Sequence, residues 1–345
     1  MRFLFFSVFF ALFVYSCGNE STDGTGGGTT NSYSYAGPGS NWTASVGTTT
    51  FSLSEADSGM QVDGSVETLS SGFKRLTVTS ASGAGAPSPG DQAYGLDVPG
   101  VVFLLKPLET NSEIISMVAA GDCPSGTTSM NWIITKMDSN ADSDSATQDI
   151  LGTAQFSGST ASLTGIYSLT GADLGTNSLG AFSCSSGKAT VSGAEMYLTQ
   201  AGGAIVRTGY DTPSDDTDDG IILAMPGQSV SSGDADGNYT GLVFTSGDTY
   251  PINATVSGSS VSVAQVDPDT GNPSGSISDT INISSFNSPT TGFVSGSLNS
   301  DSAKKVMCNI NTDVVNSGKS IVFCSGMDST GGANDGLFAV LLISK

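Results

Sequence analysis

The amino-acid sequence predicts an all-β protein with two antiparallel β modules, of which the C-terminal one is an eight-stranded meander barrel or sandwich. The 345 residues include 45 glycines, 12% are charged and the mean hydropathy is +0.04, as is typical of short strands joined by small-residue turns. Short segments of alternating apolar and polar residues recur from Trp42 onward. The most helix-like stretch, residues 108–120, is rich in β-branched residues and lacks a good N-cap, so it also favours a strand.

The N-terminal stretch has the features of an export signal. Arg2 provides a positive charge, and residues 3–15 form an almost unbroken apolar run. As a helix this run would reach about 20 Å, which is short of the ~30 Å hydrocarbon core of a bilayer. It is therefore predicted to direct export and not to remain as a membrane span.

The sequence Val14-Tyr15-Ser16-Cys17 resembles the lipobox of bacterial lipoproteins. This resemblance implies that residues 1–16 are a signal peptide and that Cys17 is acylated and attaches the protein to a membrane. The alternative is an ordinary secretory signal with an incidental cysteine. Residues 17–40 then form a lipidated, Gly/Ser-rich tether. Gly18, directly after the cysteine, fits delivery to the bacterial outer membrane under the sorting rule of enteric lipoproteins, facing the periplasm or the cell surface.

The architecture as a whole is similar to uncharacterised lipoproteins of predatory and environmental Gram-negative bacteria. The features that carry this likeness are the lipobox, the Gly/Ser-rich tether and an acidic β body without histidine. The resemblance is one of architecture and implies no activity.

The predicted N-terminal β domain comprises residues 41–230. Its run at 101–105 is continuously apolar, which favours a strand buried on both faces. The acidic run at 208–220 is interpreted as a solvated loop, and the Gly-, Ser- and Asp-rich stretch at 229–236 marks the domain boundary. The candidate strands are 42–46, 50–53, 61–69, 73–79, 101–105, 130–136, 150–156, 160–169, 190–199 and 221–225.

The predicted C-terminal domain, residues 231–345, is the most regular part of the chain. Eight strands in a meander can close into a barrel that removes both sheet edges. Its opening, residues 237–241, faintly resembles the first strand of calyx barrels such as avidins and lipocalins, although a filled barrel or a sandwich is the favoured alternative. The candidate strands are 239–245, 250–256, 260–266, 276–283, 291–298, 305–311, 319–324 and 337–343.

A weak internal similarity is compatible with two related β modules but is too short to predict them. Ser-Gly-Lys occurs before a strand at 186–188 and again at 317–319, and residues 100–105 are similar to 336–342.

Five cysteines are present, and four remain once Cys17 carries lipid. In an exported protein these four are expected to form two disulfides. Of the three pairings, the favoured one joins neighbours, Cys123 with Cys184 and Cys308 with Cys324. Cys308 and Cys324 stand symmetrically about a turn at 316–318, which supports their pairing.

Charge and composition exclude several functions. The formal net charge of −21 makes nucleic acid and anionic headgroups implausible partners. Because the chain contains no histidine, Ser-His-Asp and Cys-His catalysis and His-ligated zinc or haem are excluded.

One stretch has the spacing of a calcium-binding loop. Oxygen-bearing side chains fall at positions 1, 3, 5, 7 and 12 when Asp138 is counted as 1. The residue at the sharp turn is Ser143 instead of glycine, and position 12 holds an aspartate instead of a glutamate. The alternative is a polar hairpin loop, and no other cofactor is predicted. The candidate ligands are Asp138, Asn140, Asp142, Asp144 and Asp149.

The sequence favours a non-catalytic surface binding or adhesion module with a protein or glycan ligand. The alternatives are a calyx barrel that carries a small apolar ligand and a hydrolase based on carboxylates such as Glu67, Glu113 and Glu195. An aromatic sugar platform is a further hypothesis, although a core position is favoured for Trp132. The aromatic residues concerned are Trp42, Trp132, Tyr33 and Tyr35.

Overall fold

The computed structural model describes most of the chain from residue 33 to the C-terminus and is all-β, as predicted. Twenty-four antiparallel strands occur in this part. The described residues are 33–36, 42–56, 58–98, 102–108, 115–119, 123, 126–136, 150–185, 188–191, 194–197, 204–209, 220–245, 249–314, 318–328 and 336–345.

The first eight strands form a closed barrel in simple meander order. Its last strand returns to the first, where Tyr35 is opposite Ala119. We call it the N-terminal barrel. Its strands are β1 (Tyr33–Ala36), β2 (Trp42–Val46), β3 (Thr50–Glu55), β4 (Met60–Thr68), β5 (Lys74–Ser82), β6 (Gln92–Val98), β7 (Val102–Pro107) and β8 (Ile115–Ala119).

The next eight strands form the middle sheet. Its strands pair with their neighbours as in the barrel, but one pair is not hydrogen-bonded, so the sheet stays open there. Its last strand pairs with its first, and Ala224 lies opposite Trp132. Strands β14 and β15 are the two edges, and they approach each other. The strands are β9 (Thr128–Lys136), β10 (Ile150–Ser157), β11 (Thr160–Ser168), β12 (Asp173–Ser185), β13 (Lys188–Val191), β14 (Ala194–Tyr197), β15 (Ala204–Gly209) and β16 (Gly220–Pro226).

The last eight strands form the C-terminal barrel, which is closed by pairing of its first and last strands. Of the two predicted forms, an eight-stranded meander barrel or a sandwich, the structure has the barrel. The sequence predicted one N-terminal domain at 41–230, whereas two separate sheets precede the C-terminal barrel, and the first of them begins at Tyr33, within the predicted tether at 17–40. The strands are β17 (Gly237–Phe244), β18 (Thr249–Ser257), β19 (Ser260–Val266), β20 (Pro273–Phe286), β21 (Phe293–Leu298), β22 (Lys304–Asn311), β23 (Ile321–Asp328) and β24 (Gly336–Ser344).

Side chains fill the interiors of both closed barrels. Because successive residues of a strand point to opposite faces, Tyr239 and Val243 point inward and pack with Val322 and Leu342 in one apolar cluster. The N-terminal barrel has an equivalent inner cluster, which includes Phe103.

The outward-facing apolar residues of all three sheets meet in one shared cluster, which we call the common core. Leu104 of the N-terminal barrel, Ile133 of the middle sheet and Phe323 of the C-terminal barrel belong to it, and each is at most 2% exposed. Burial of one such side chain contributes about 1.5–3 kcal/mol, so the common core is a large stabilising term.

One hairpin recurs in all three sheets. The sequences VGTTTFSL (46–53), FSGSTASL (156–163) and VSGSSVSV (256–263) each join the second and third strand of a sheet. In each, the carbonyl of the same residue accepts a backbone hydrogen bond of 2.8 Å from the fourth strand. The donors and acceptors are Val66 to Thr49, Phe182 to Ser159 and Ile283 to Ser259. The three sheets are thus repeats of one module, where the sequence indicated two.

The modules dock head to tail through an equivalent contact. The Thr240 hydroxyl on β17 donates to the carbonyl of Ser71, which lies in the β4–β5 loop. In the same way, the Asn131 amide on β9 donates to the carbonyl of Thr291, in the β20–β21 loop, at 2.7 Å. Thr240 and Asn131 occupy matching register positions on the first strands of their modules. Through this repeated contact the first strand of the C-terminal barrel packs on a loop of the N-terminal barrel, and the first strand of the middle sheet packs on a loop of the C-terminal barrel.

Both predicted disulfides form. Cys308 and Cys324 are directly opposite each other on β22 and β23, and both are fully buried inside the C-terminal barrel. Cys184 on β12 is bonded to Cys123, which precedes the middle sheet, so this bridge spans 61 residues. A cross-link over so long a loop restricts the unfolded chain strongly.

Candidate functional site: polar grooves on the barrels

A polar groove crosses strands β17 to β20 on the C-terminal barrel and has a volume of about 730 Å³. We call it the C-terminal groove. The outward-facing residues that line the groove are small and polar, whereas Leu242 and Phe244, farther along β17, and most outward-facing residues of β22–β24 enter the common core. Its polar lining includes Asn238, Asn253, Thr255, Ser262, Asp279, Thr280, Asn299, Ser300 and Lys345.

The groove floor carries hydroxyl and amide groups in cross-strand pairs. The hydroxyls of Ser262 and Thr280 are 3.1 Å apart, and the Thr255 hydroxyl donates to Asn238 Oδ1 at 3.2 Å. Asn253 donates from Nδ2 to the carbonyl of Gly271. A hydroxyl can donate one hydrogen bond and accept two, so these pairs retain capacity for a ligand.

Charged groups stand at the two sides of this floor. Lys345 lies beside β17, where its backbone N–H donates to the carbonyl of Asn238, and burial lowers the pKa of its ammonium. Asp279 lies on β20. Burial would raise the pKa of its carboxyl, but hydrogen bonds from Ser300 and from the Thr280 N–H outweigh that effect, so the pKa falls below the usual value. Hydrogen bonds within the protein therefore stabilise the ionised carboxylate of Asp279.

A second groove of about 370 Å³ lies on the N-terminal barrel. We call it the N-terminal groove. It crosses β2, β3 and β4, and its floor includes Ser45, Ser52 and Asp63, which face one another in cross-strand register. Gly64 also borders it, and a Cβ there would lie 2.2 Å from the Thr77 carbonyl oxygen and 2.4 Å from the Phe51 ring.

A carboxylate outside the grooves, that of Asp269, takes part in the docking of the N-terminal and C-terminal barrels. Arg75 donates to Asp269 of the C-terminal barrel at 2.9 Å and also pairs with Glu67. The Ser71 hydroxyl donates to the carbonyl of Pro268 at 2.5 Å. Lys74 pairs with Asp97 at 2.9 Å. The contacts of Arg75 with Asp269 and of Ser71 with Pro268 fix the loop at 267–272 against the N-terminal barrel, whereas Lys74 and Asp97 both belong to that barrel.

Several predicted site residues lie outside the described part of the chain. They are the lipid-attachment residue Cys17, the calcium-loop candidates Asp138, Asn140, Asp142, Asp144 and Asp149, and Glu113. Of the other two glutamates, Glu67 is exposed and pairs with Arg75, and the side chain of Glu195 on β14 lies outside the description. Among the described residues, no group of three or more His, Cys, Asp or Glu side chains could hold a metal ion.

Of the aromatic residues considered as a sugar platform, Trp132 is in the core. Its side chain is 1% exposed and packs inside the middle sheet with Phe156. Trp42, Tyr33 and Tyr35 lie on described strands, but their side chains are outside the description.

Analysis of the sequence missed both grooves. The signal that could have found them is the repeated hairpin, in which Ser52, Ser162 and Ser262 occupy one position. A serine on the solvent face of a strand is common, so only the repeat distinguishes it.

Comparison of the chain with family models, with curated proteins and with solved structures found no match. In the described part of the chain, no helix is long and apolar enough to cross a membrane.

Tyr94 provides a pH test of the contacts that Asp269 makes with the N-terminal barrel. Burial, followed by a hydrogen bond and the negative charge of Asp269, raises its pKa from 10.0 to about 12. The folded state therefore keeps the phenol proton where the unfolded state has lost it, and the free energy of unfolding falls as pH rises from 10.0 to about 12. In Tyr94→Phe this contribution to the slope disappears. Urea unfolding of both proteins at several pH values across that window measures it, and parallel pH profiles would contradict the assignment.

Proposed function

We propose that the protein is a membrane-anchored envelope lipoprotein of a Gram-negative bacterium that acts as a non-catalytic surface binding module for a neutral glycan. The observation that carries the proposal is the C-terminal groove, a broad polar floor of hydroxyl and amide groups on a rigid barrel. Sugar hydroxyls both donate and accept hydrogen bonds, and Ser, Thr and Asn side chains offer both functions.

The electrostatics favour a neutral ligand. A net charge of −21 repels anionic polymers, and the charges of Lys345 and Asp279 at the groove sides oppose each other in sign. A neutral, polyhydroxylated chain avoids the long-range repulsion and can use the uncharged floor between them.

The filled interior of the C-terminal barrel supports surface binding over the alternative of a calyx carrier. Inward residues such as Tyr239, Ile252 and Leu342 pack against one another within the barrel. Glu67, one of the carboxylates considered for hydrolysis, is engaged by Arg75 and borders neither groove.

Binding is tested with a panel of neutral hexasaccharides (cellohexaose, chitohexaose and maltohexaose) followed by amide chemical shifts in NMR spectra. At least one is expected to shift the amides of residues 253–255, 262 and 278–280. Ser262→Leu removes a floor hydroxyl and fills the groove, so it should abolish these shifts. Ser284→Leu replaces an exposed serine of β20 outside the groove and should preserve them. Absence of shifts with every sugar would contradict the proposal.

The anchor is tested separately by Cys17→Ser. The protein is expected to incorporate palmitate and to fractionate with the outer membrane, because two or more acyl chains hold a protein stably in a bilayer. The variant should incorporate none and leave the membrane fraction. If the variant still fractionates with the membrane, or if the mature chain begins elsewhere without lipid, the anchoring proposal is wrong.

A further inference from the structure

We infer that the N-terminal groove is a second binding site for the same neutral glycan, so that one chain binds a repeating polymer at two equivalent places. This inference rests on the proposed function of the C-terminal groove. It adds a second site, a stoichiometry of two ligand molecules per chain and the expectation that the natural ligand is a polymer of repeating sugars.

Strand register makes the two grooves equivalent. Thr255 is opposite Ser262, which is opposite Thr280, on three adjacent strands of the C-terminal barrel. In the N-terminal barrel the matching strands place Ser45 opposite Ser52, and Ser52 opposite Asp63. The hairpin between the first two of these strands has the same length in both modules, as Val46 pairs with Phe51 and Val256 with Val261.

The chemistry of the floor is retained. Ser52 and Ser262 are both exposed. Each lies between a hydroxyl-bearing residue on one neighbouring strand, Ser45 or Thr255, and a residue with a side-chain oxygen on the other, Asp63 or Thr280. Asp63 replaces Thr280, and a carboxylate accepts hydrogen bonds from neighbouring sugar hydroxyls. Thr79 borders the groove, and its hydroxyl donates to the Asp63 backbone carbonyl at 3.1 Å, while Asp63 itself is exposed.

The same faces are also left uncovered in both modules. The outward residues of β6–β8 and β22–β24, such as Leu104 and Leu341, enter the common core. The residues that line the two grooves take no part in the common core, and the floor serines Ser52 and Ser262 are exposed.

Two sites on one rigid chain make the second binding event intramolecular when the ligand is a polymer. Linked sites raise the overall affinity by about 10²–10⁴ if the ligand can span them. Weak individual sites would then suffice for firm attachment to a surface polysaccharide.

The test is isothermal titration calorimetry of the purified chain with the hexasaccharide that binds best in the panel. Two molecules are expected to bind per chain, one to Ser52→Leu, one to Ser262→Leu and none to the double variant. Ser284→Leu should retain both sites. The long polymer of the same sugar should bind the wild type at least tenfold more tightly than either single variant.

The failures of the two proposals are distinguishable. A stoichiometry of one that Ser262→Leu abolishes and Ser52→Leu leaves unchanged would overturn the second site and leave the C-terminal groove standing. Two sites that persist in the double variant would overturn both grooves. No binding of any hexasaccharide would overturn the proposed function and this inference together.

Discussion

The common core is the interaction on which the rest of the structure depends. Each barrel has an inner cluster of its own, but the outer faces of β6–β8 and β22–β24 are also apolar and would be exposed in an isolated module. Phe244, Phe323 and Phe293 are fully buried in this shared cluster. Exposure of so large an apolar patch would favour aggregation, so packing of the modules is a condition of a soluble fold.

This packing also defines the surface that remains for binding. The polar residues that line the grooves lie outside the common core, and the floor serines Ser52 and Ser262 stay in contact with solvent. The docking contacts of Thr240 and Asn131 hold the modules in fixed positions relative to one another, and neither residue lines a groove. Binding residues on a rigid scaffold lose little conformational entropy when a ligand arrives.

The fold class, the closed C-terminal barrel and both disulfides could be predicted because they depend on local pattern. Alternation within strands and the spacing of Cys308 and Cys324 about a turn are visible in the sequence. The middle sheet could not be recognised from the sequence as a separate module, because Gly-, Ser- and Asp-rich turns occur within modules as well as between them. The grooves and the common core depend on which strand sides meet, and Phe323 looks the same in sequence whether it faces a barrel interior or a neighbouring module.

The most direct measurement is native-state hydrogen exchange in urea on the wild type, Gly72→Ala and Gly90→Ala. Both glycines have φ of +98°, but a Cβ at Gly72 would lie 2.3 Å from the Thr240 hydroxyl oxygen, whereas one at Gly90 meets nothing within 4 Å. Gly90→Ala should cost about 1–2 kcal/mol from backbone strain, and Gly72→Ala about 1–3 kcal/mol more. The account predicts that Gly72→Ala lowers the unfolding free energy of core amides in both barrels together. Faster exchange confined to the N-terminal barrel would contradict it.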